Sequence, residues 1–235
     1  MTMIADNLQS VRARIAHACQ QAGRAPEAVT LLAVSKTFGP DAVREAFAAG
    51  QTAFGENYIQ EAADKITALA DLALEWHCIG PIQSNKTRLV AQHFDWVHSV
   101  DRLKIAQRLS EQRPQELPPL QVCIQVNIDG GPTKAGVVPA DALALARTVA
   151  ALPNLHLRGI MTIPEPAPDF VAACAVHTRA KALFDALNSQ GLGLDTLSMG
   201  MTGDMEAAIQ SGSTMVRVGT AVFGGRQKNR VPLAL

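Results

Sequence analysis

The sequence predicts an α/β protein built as a single (β/α)8 TIM barrel, and three observations carry that reading. Strand-like and helix-like segments alternate along the chain, with one βα unit about every 20–35 residues. Many strand candidates, such as "LQVCIQVNI" and "TMVRVG", are apolar runs without alternation, the pattern of strands covered on both faces in a parallel sheet. The candidates number eight within 235 residues, a length at which α/β barrels remain one domain. Strict alternation through eight strands favours a closed barrel over an open doubly wound sheet.

Taken in order, a helix is expected first over 6–21, where Asp6 is a plausible N-cap and Leu8, Val11, Ile15 and Ala18 recur at helical spacing. The strand candidates follow at 30–36, 52–55, 75–80, 94–99, 120–127, 155–160, 194–198 and 214–218. Helical patterns separate or follow them at about 40–49, 57–71, 84–92, 101–112, 139–150, 169–190 and 203–211. Turn chemistry marks junctions at "GP" (39–40), "DGGPTKAG" (129–136) and "PEPAPD" (164–169). No low-complexity stretch or linker divides the chain, so residues 1–235 are expected to form one domain.

Composition narrows the function classes. Apolar residues make up 48% and aromatics 4%, so Ala, Leu and Val must do most of the packing. Lys+Arg and Asp+Glu balance at 21 each, and no long basic block suggests nucleic acid or an anionic membrane as partner. The N-terminal segment lacks the apolar core of a signal peptide, and no run reaches the length of a membrane helix. Cys19, Cys78, Cys123 and Cys174 are far apart with no CxxC, which reads as reduced thiols and not as a zinc or disulfide framework. A cytoplasmic location is the expectation.

A barrel carries its chemistry at the C-terminal ends of its strands. In "TLLAVSK", Leu32, Val34 and Lys36 share one parity; if that side is the interior, Lys36 points into the barrel mouth, where desolvation makes a lysine a nucleophile toward aldehydes. Asn57, in "FGENYIQE", stands at a strand-to-helix junction, either in ordinary capping or turned toward a pocket. His77 and Ile79 share one face of the third strand, with Trp76 and Cys78 on the other, while Ser84 is a credible cap for the next helix. Gly159 and Met161 would leave room for a flat ring, although core packing explains Met161 equally well. Ser198, Gly200 and Thr202 end the seventh strand, and Gly219 and Thr220 follow the eighth; small and hydroxyl residues at these two ends form the usual barrel phosphate site. Arg217 is a charge inside a buried strand, placed either for an ion pair with a barrel acid or as a fixed donor aimed at a ligand.

A nucleophilic lysine, a phosphate cup and a fixed arginine together describe a pyridoxal 5′-phosphate (PLP) site. The blocks "AVSK", "FGENYIQE", "WHCIGPIQSNK", "LRGIMTI", "SMGMTGDMEAAI" and "STMVRVGTAVFG" resemble, in order and spacing, the PLP homeostasis protein family (YggS/PROSC, PLP-binding protein). That resemblance implies a fold-type III barrel like the N-terminal domain of alanine racemase. It implies Lys36 carrying PLP as an internal aldimine, Arg217 facing the pyridine nitrogen, and Ser198, Gly219 and Thr220 holding the phosphate. Asn57, His77 and Met161 would line the ring pocket. Thr202-Gly203 departs from the family's more frequent serine followed by a larger or polar residue, yet the hydroxyl is kept.

The function implied is intracellular PLP (vitamin B6) homeostasis and amino-acid balance by a monomeric carrier without catalysis, with PLP-requiring apo-enzymes as recipients. A fold-type III enzyme such as an amino-acid racemase is the alternative. It would need an acid/base on each face of its substrate, and the only tyrosine is Tyr58. A class I aldolase-type barrel fits the ordered blocks less well.

Overall fold

The computed structural model describes residues 2–131 and 134–225. Helix α1 (Met3–Gln21) precedes eight strands, β1 (Thr30–Val34), β2 (Ala53–Glu56), β3 (Glu75–Cys78), β4 (Trp96–Val100), β5 (Leu120–Val126), β6 (Leu155–Thr162), β7 (Thr196–Met201) and β8 (Met215–Val218). Between them run α2 (Pro40–Ala48), α3 (Ile59–Ala68), α4 (Thr87–His93), α5 (Leu103–Gln112), α6 (Pro139–Ala150), α7 (Phe170–Ser189) and α8 (Met205–Gln210); a short α9 (Thr220–Phe223) follows β8. The strands close in sequence order into a parallel barrel, with β1 pairing both β2 and β8.

Local chemistry explains the helix starts. Pro40 and Pro139 occupy the first turns of α2 and α6, where a missing N–H costs nothing. Asp169 caps α7 by accepting the Ala172 N–H at 2.8 Å. The cap of α1 is Thr2, not Asp6; Asp6 lies in the first turn, where its charge complements the helix dipole. The segment expected as one helix over 84–92 is a 3-10 turn (Ser84–Lys86) followed by α4. Ser84 is inside that turn and does not cap it. Of the expected 129–136 turn, Pro132 and Thr133 lie outside the described residues, as does the chain after Gly225.

Strand parity divides the core. Ala33, Phe54, Trp76, Cys78, Val97, Val122, Val216 and Val218 join the large apolar layer between barrel and helices. The opposite parity fills the interior with two small apolar clusters, Leu32, Val34, Ala53, Ile79 and Met215 in one and Trp96, Cys123 and Met161 in the other. Gly159 does not make room for a ring. A Cβ built there would lie 1.6 Å from the Thr196 carbonyl oxygen, so its lack of a side chain lets β6 close on β7.

Candidate functional site

A cavity of about 430 Å³ opens at the C-terminal ends of the strands. Lys36, Asn57, Arg217, Gly219 and Thr220 border it, together with Thr202 and Gly203 from the loop after β7. Val34, Ile79 and Ile163 supply apolar wall.

Lys36 is half-buried and stands two residues beyond the end of β1, not within the strand. The turn that carries it is pinned from both sides. Ser35 N–H donates to the Gly55 carbonyl at 3.0 Å and Phe38 N–H to the Ser35 carbonyl at 3.1 Å. The Ser35 hydroxyl donates to Glu56 Oε1 at 2.6 Å, and Lys65 Nζ donates to the Ser35 carbonyl at 3.0 Å. Thr37 adopts φ +69°, a conformation a β-branched residue rarely takes; its N–H is held by Glu61 Oε1 at 3.2 Å. Beneath the turn, Lys65 and Glu56 form an ion pair at 2.5 Å with both side chains buried. Burial pushes the Glu56 carboxyl upward despite the lysine and the serine hydroxyl.

Arg217 is 4% exposed. Its Nη1 donates to Ser198 Oγ and its Nη2 to the Thr162 carbonyl, each at 2.8 Å. Among the described residues no carboxylate lies within ion-pair distance of it, so the expected alternative of a structural ion pair does not hold. Burial lowers the guanidinium to about 10, which still leaves it a cation at neutral pH.

The loop after β7 is held by Asp204. Its Oδ1 accepts the Met201 N–H at 2.7 Å, and His177 Nε2 lies 2.9 Å from its Oδ2. Burial opposes ionisation of Asp204, but these hydrogen bonds outweigh it and hold the carboxyl below its usual range. Arg14 of α1 donates to the Thr202 carbonyl at 3.2 Å, and Asn7 donates to the Val222 carbonyl in α9 at 2.9 Å. The N-terminal helix therefore braces both segments that supply small and hydroxyl residues to the cavity. Gly80 permits a further close approach: a Cβ there would lie 2.3 Å from the Asn57 carbonyl oxygen.

The structure thus brings Lys36, Asn57, Arg217, Gly219 and Thr220 to one cavity, and it places three expected pocket residues elsewhere. Ser198 is fully buried beneath the cavity, its hydroxyl between Arg217 Nη1 at 2.8 Å and His98 Nδ1 at 2.9 Å. Met161 is buried in the cluster with Trp96 and Cys123. His77 lies deeper still, bonded to His98 and Glu75 and stacked on Trp96 with ring centroids 5.2 Å apart. Thr202, read from the sequence among the small and hydroxyl residues that end the seventh strand at a barrel phosphate site, takes a place in the lining. His98 and the Glu56–Lys65 pair carried no signal in the sequence, because each gains its partner through tertiary contact.

A family model described as the alanine racemase N-terminal domain matches residues 7–227. The pyridoxal phosphate homeostasis protein of Pseudomonas aeruginosa is 62% identical over 96% of this chain and 97% of its own. That of Escherichia coli K12 is 53% identical over 98% of this chain and 100% of its own. Among solved structures, PipY of Synechococcus elongatus PCC7942 with PLP bound aligns with TM-score 0.81 and 38% identity, covering 94% of this chain and 100% of that one. Alanine racemase from Corynebacterium glutamicum aligns with TM-score 0.68 at 18% identity, over 95% of this chain and 61% of its own, a likeness of fold alone.

Proposed function

The chain belongs to the pyridoxal phosphate homeostasis protein family and to the alanine racemase N-terminal domain family, and from that premise we propose that it holds PLP at the barrel mouth and serves PLP homeostasis as a carrier without turnover. The residues present fit this cofactor. Asn57 Oδ1 is buried at the cavity without a hydrogen-bond partner, a state that costs free energy unless a ligand group meets the amide. The donor set matches as well: an amine, a fixed cation, and hydroxyl and glycine backbone donors all border the same space.

Lys36 would bind the aldehyde end, Arg217 would meet the ring nitrogen, and Thr202, Gly203, Gly219 and Thr220 would hold the phosphate. Asn57 would orient the ring edge. When bound, PLP supplies an aldehyde carbon that joins reversibly to amines. Arg217 would keep a proton off the ring nitrogen, because a guanidinium donates and does not accept. That arrangement would make the ring a weaker electron sink and disfavour removal of an α-proton from an amino acid. Val34, Ile79 and Ile163 would give the ring an apolar inner wall.

The observation that carries the carrier reading is the short inventory of proton-transfer groups. Among the described residues bordering the cavity, the titratable side chains are Lys36 and Arg217. Tyr58 is 51% exposed and stands outside the lining. Lys36 can serve one face of an amino acid, and among the described residues of the lining no second acid/base stands opposite. PLP-requiring apo-enzymes as recipients, a monomeric state and a cytoplasmic location belong to the same proposal; among the described residues no helix is long and apolar enough to cross a membrane.

The test incubates PLP-loaded protein with single-enantiomer amino acids in deuterated water and assays α-deuterium and the opposite enantiomer. Turnover far below the usual enzyme range is expected. Turnover of about 1–10³ per second, lost in Lys36→Ala, would replace the carrier with a racemase.

A further inference from the structure

A buried chain of hydrogen bonds runs from the floor of the barrel to Arg217. Glu75 Oε1 lies 2.8 Å from His77 Nε2, His77 Nδ1 lies 2.9 Å from His98 Nε2, and His98 Nδ1 lies 2.9 Å from Ser198 Oγ. Ser198 Oγ accepts from Arg217 Nη1 at 2.8 Å. Strands β4 and β7 are not neighbours in the sheet, so the His98–Ser198 bond crosses the barrel interior. His77, His98 and Ser198 are each 1% exposed or less, whereas the Glu75 side chain is 48% exposed.

The chemistry allows this chain one direction. A carboxylate only accepts, so His77 donates from Nε2. Burial disfavours the charged form of both histidines. A neutral His77 then accepts at Nδ1, which requires His98 to donate from Nε2. A neutral His98 accepts at Nδ1, which requires the Ser198 hydroxyl to donate. The remaining lone pair of Ser198 receives Arg217, a group that can only donate. The acceptor-only carboxylate at one end and the donor-only guanidinium at the other therefore require the same pattern. The charged groups facing the two rings are Glu75 and Asp95 from the floor and Arg217 from the cavity side.

We infer that Glu75, His77, His98 and Ser198 are positioning residues for Arg217: a one-directional hydrogen-bond chain, anchored on a floor carboxylate, fixes the guanidinium that meets the ring nitrogen of PLP. The inference rests on the PLP reading above for its ligand, but the chain itself can be tested without any ligand. The Thr162 carbonyl holds the second guanidinium nitrogen, so loss of the chain turns Arg217 without freeing it. Glu75 lies at the opposite end of the barrel from the cavity, and its removal takes away no cavity contact.

The first measurement uses the ligand-free protein. Side-chain ¹⁵N NMR should find both His77 and His98 as the Nε2–H tautomer across neutral pH; an Nδ1–H tautomer at His98 would overturn the chain. The second follows ¹⁵N-labelled PLP at its ring nitrogen. Glu75→Leu should shift that resonance and weaken PLP binding about tenfold, the loss of one hydrogen bond's worth of ordering, with the covalent link at Lys36 intact. Glu75→Gln should restore both, since an amide oxygen still accepts from His77. No change in Glu75→Leu, or equal change in both variants, overturns the positioning role. Failure of the wild-type protein to bind PLP at all would instead sink the cofactor reading, and the tautomers would still decide the chain.

Discussion

At the residue scale, the site depends on groups whose charge states are set by burial. His77 and His98 both have their protonated forms disfavoured by burial, His98 further by His77 and Arg217. Their folded values lie below the ordinary 6.5, so on acidification the unfolded chain takes up protons that the folded chain refuses. Stability is therefore expected to be full above about pH 6.5 and to fall as pH drops below it. Urea midpoints measured from neutral pH to about pH 5 should decline, and a flat profile would contradict neutral buried histidines. With the Ser198 hydroxyl engaged by His98 and Arg217, the phosphate contacts proposed above fall to Thr202, Gly203, Gly219 and Thr220. Thr202→Ala with Thr220→Ala should weaken PLP more than pyridoxal, by roughly 1.5–3 kcal/mol for each charge-assisted hydrogen bond lost. Equal weakening of the two ligands in a binding titration would put the phosphate elsewhere.

At the scale of elements, the turn after β1 is held by a buried ion pair that links β2 to α3. Glu56 is fully buried and Lys65 is 4% exposed, so removing the lysine leaves a desolvated carboxyl without its cation. Lys65→Met should destabilise the fold by about 3–5 kcal/mol, and Glu56→Gln added to it should recover part of that loss. Chemical denaturation of the single and double variants checks this; a double variant as unstable as the sum of two independent losses would show that the pair is not the anchor. The same comparison should reveal looser PLP binding in Lys65→Met, because the Ser35 carbonyl next to Lys36 loses its donor.

At the scale of the whole molecule, the barrel was legible because alternation and two-faced burial are local signals, and all eight expected strands are present, with ends shifted by up to three residues. The meeting of Lys36, Arg217, Gly219 and Thr220 at one cavity was legible for a related reason: each breaks an apolar pattern within or just after a strand, and the C-terminal ends of the strands converge in a barrel. Depth was not legible. The β4–β5, β5–β6 and β7–β8 pairs each shift register once, so counting parity along the chain cannot say which layer Met161 or Ser198 occupies. The His98–Ser198 bond spans 100 residues and leaves no trace in spacing. In the proposed function, one lysine at the mouth of this closed barrel holds the cofactor. Borohydride reduction of the PLP-loaded protein followed by peptide mapping tests it most directly. The pyridoxyl group is expected on Lys36, with the visible absorbance band absent from a folded Lys36→Ala variant; a pyridoxyl group on Lys86 or Lys134, with Lys36 unmodified, would overturn the assignment.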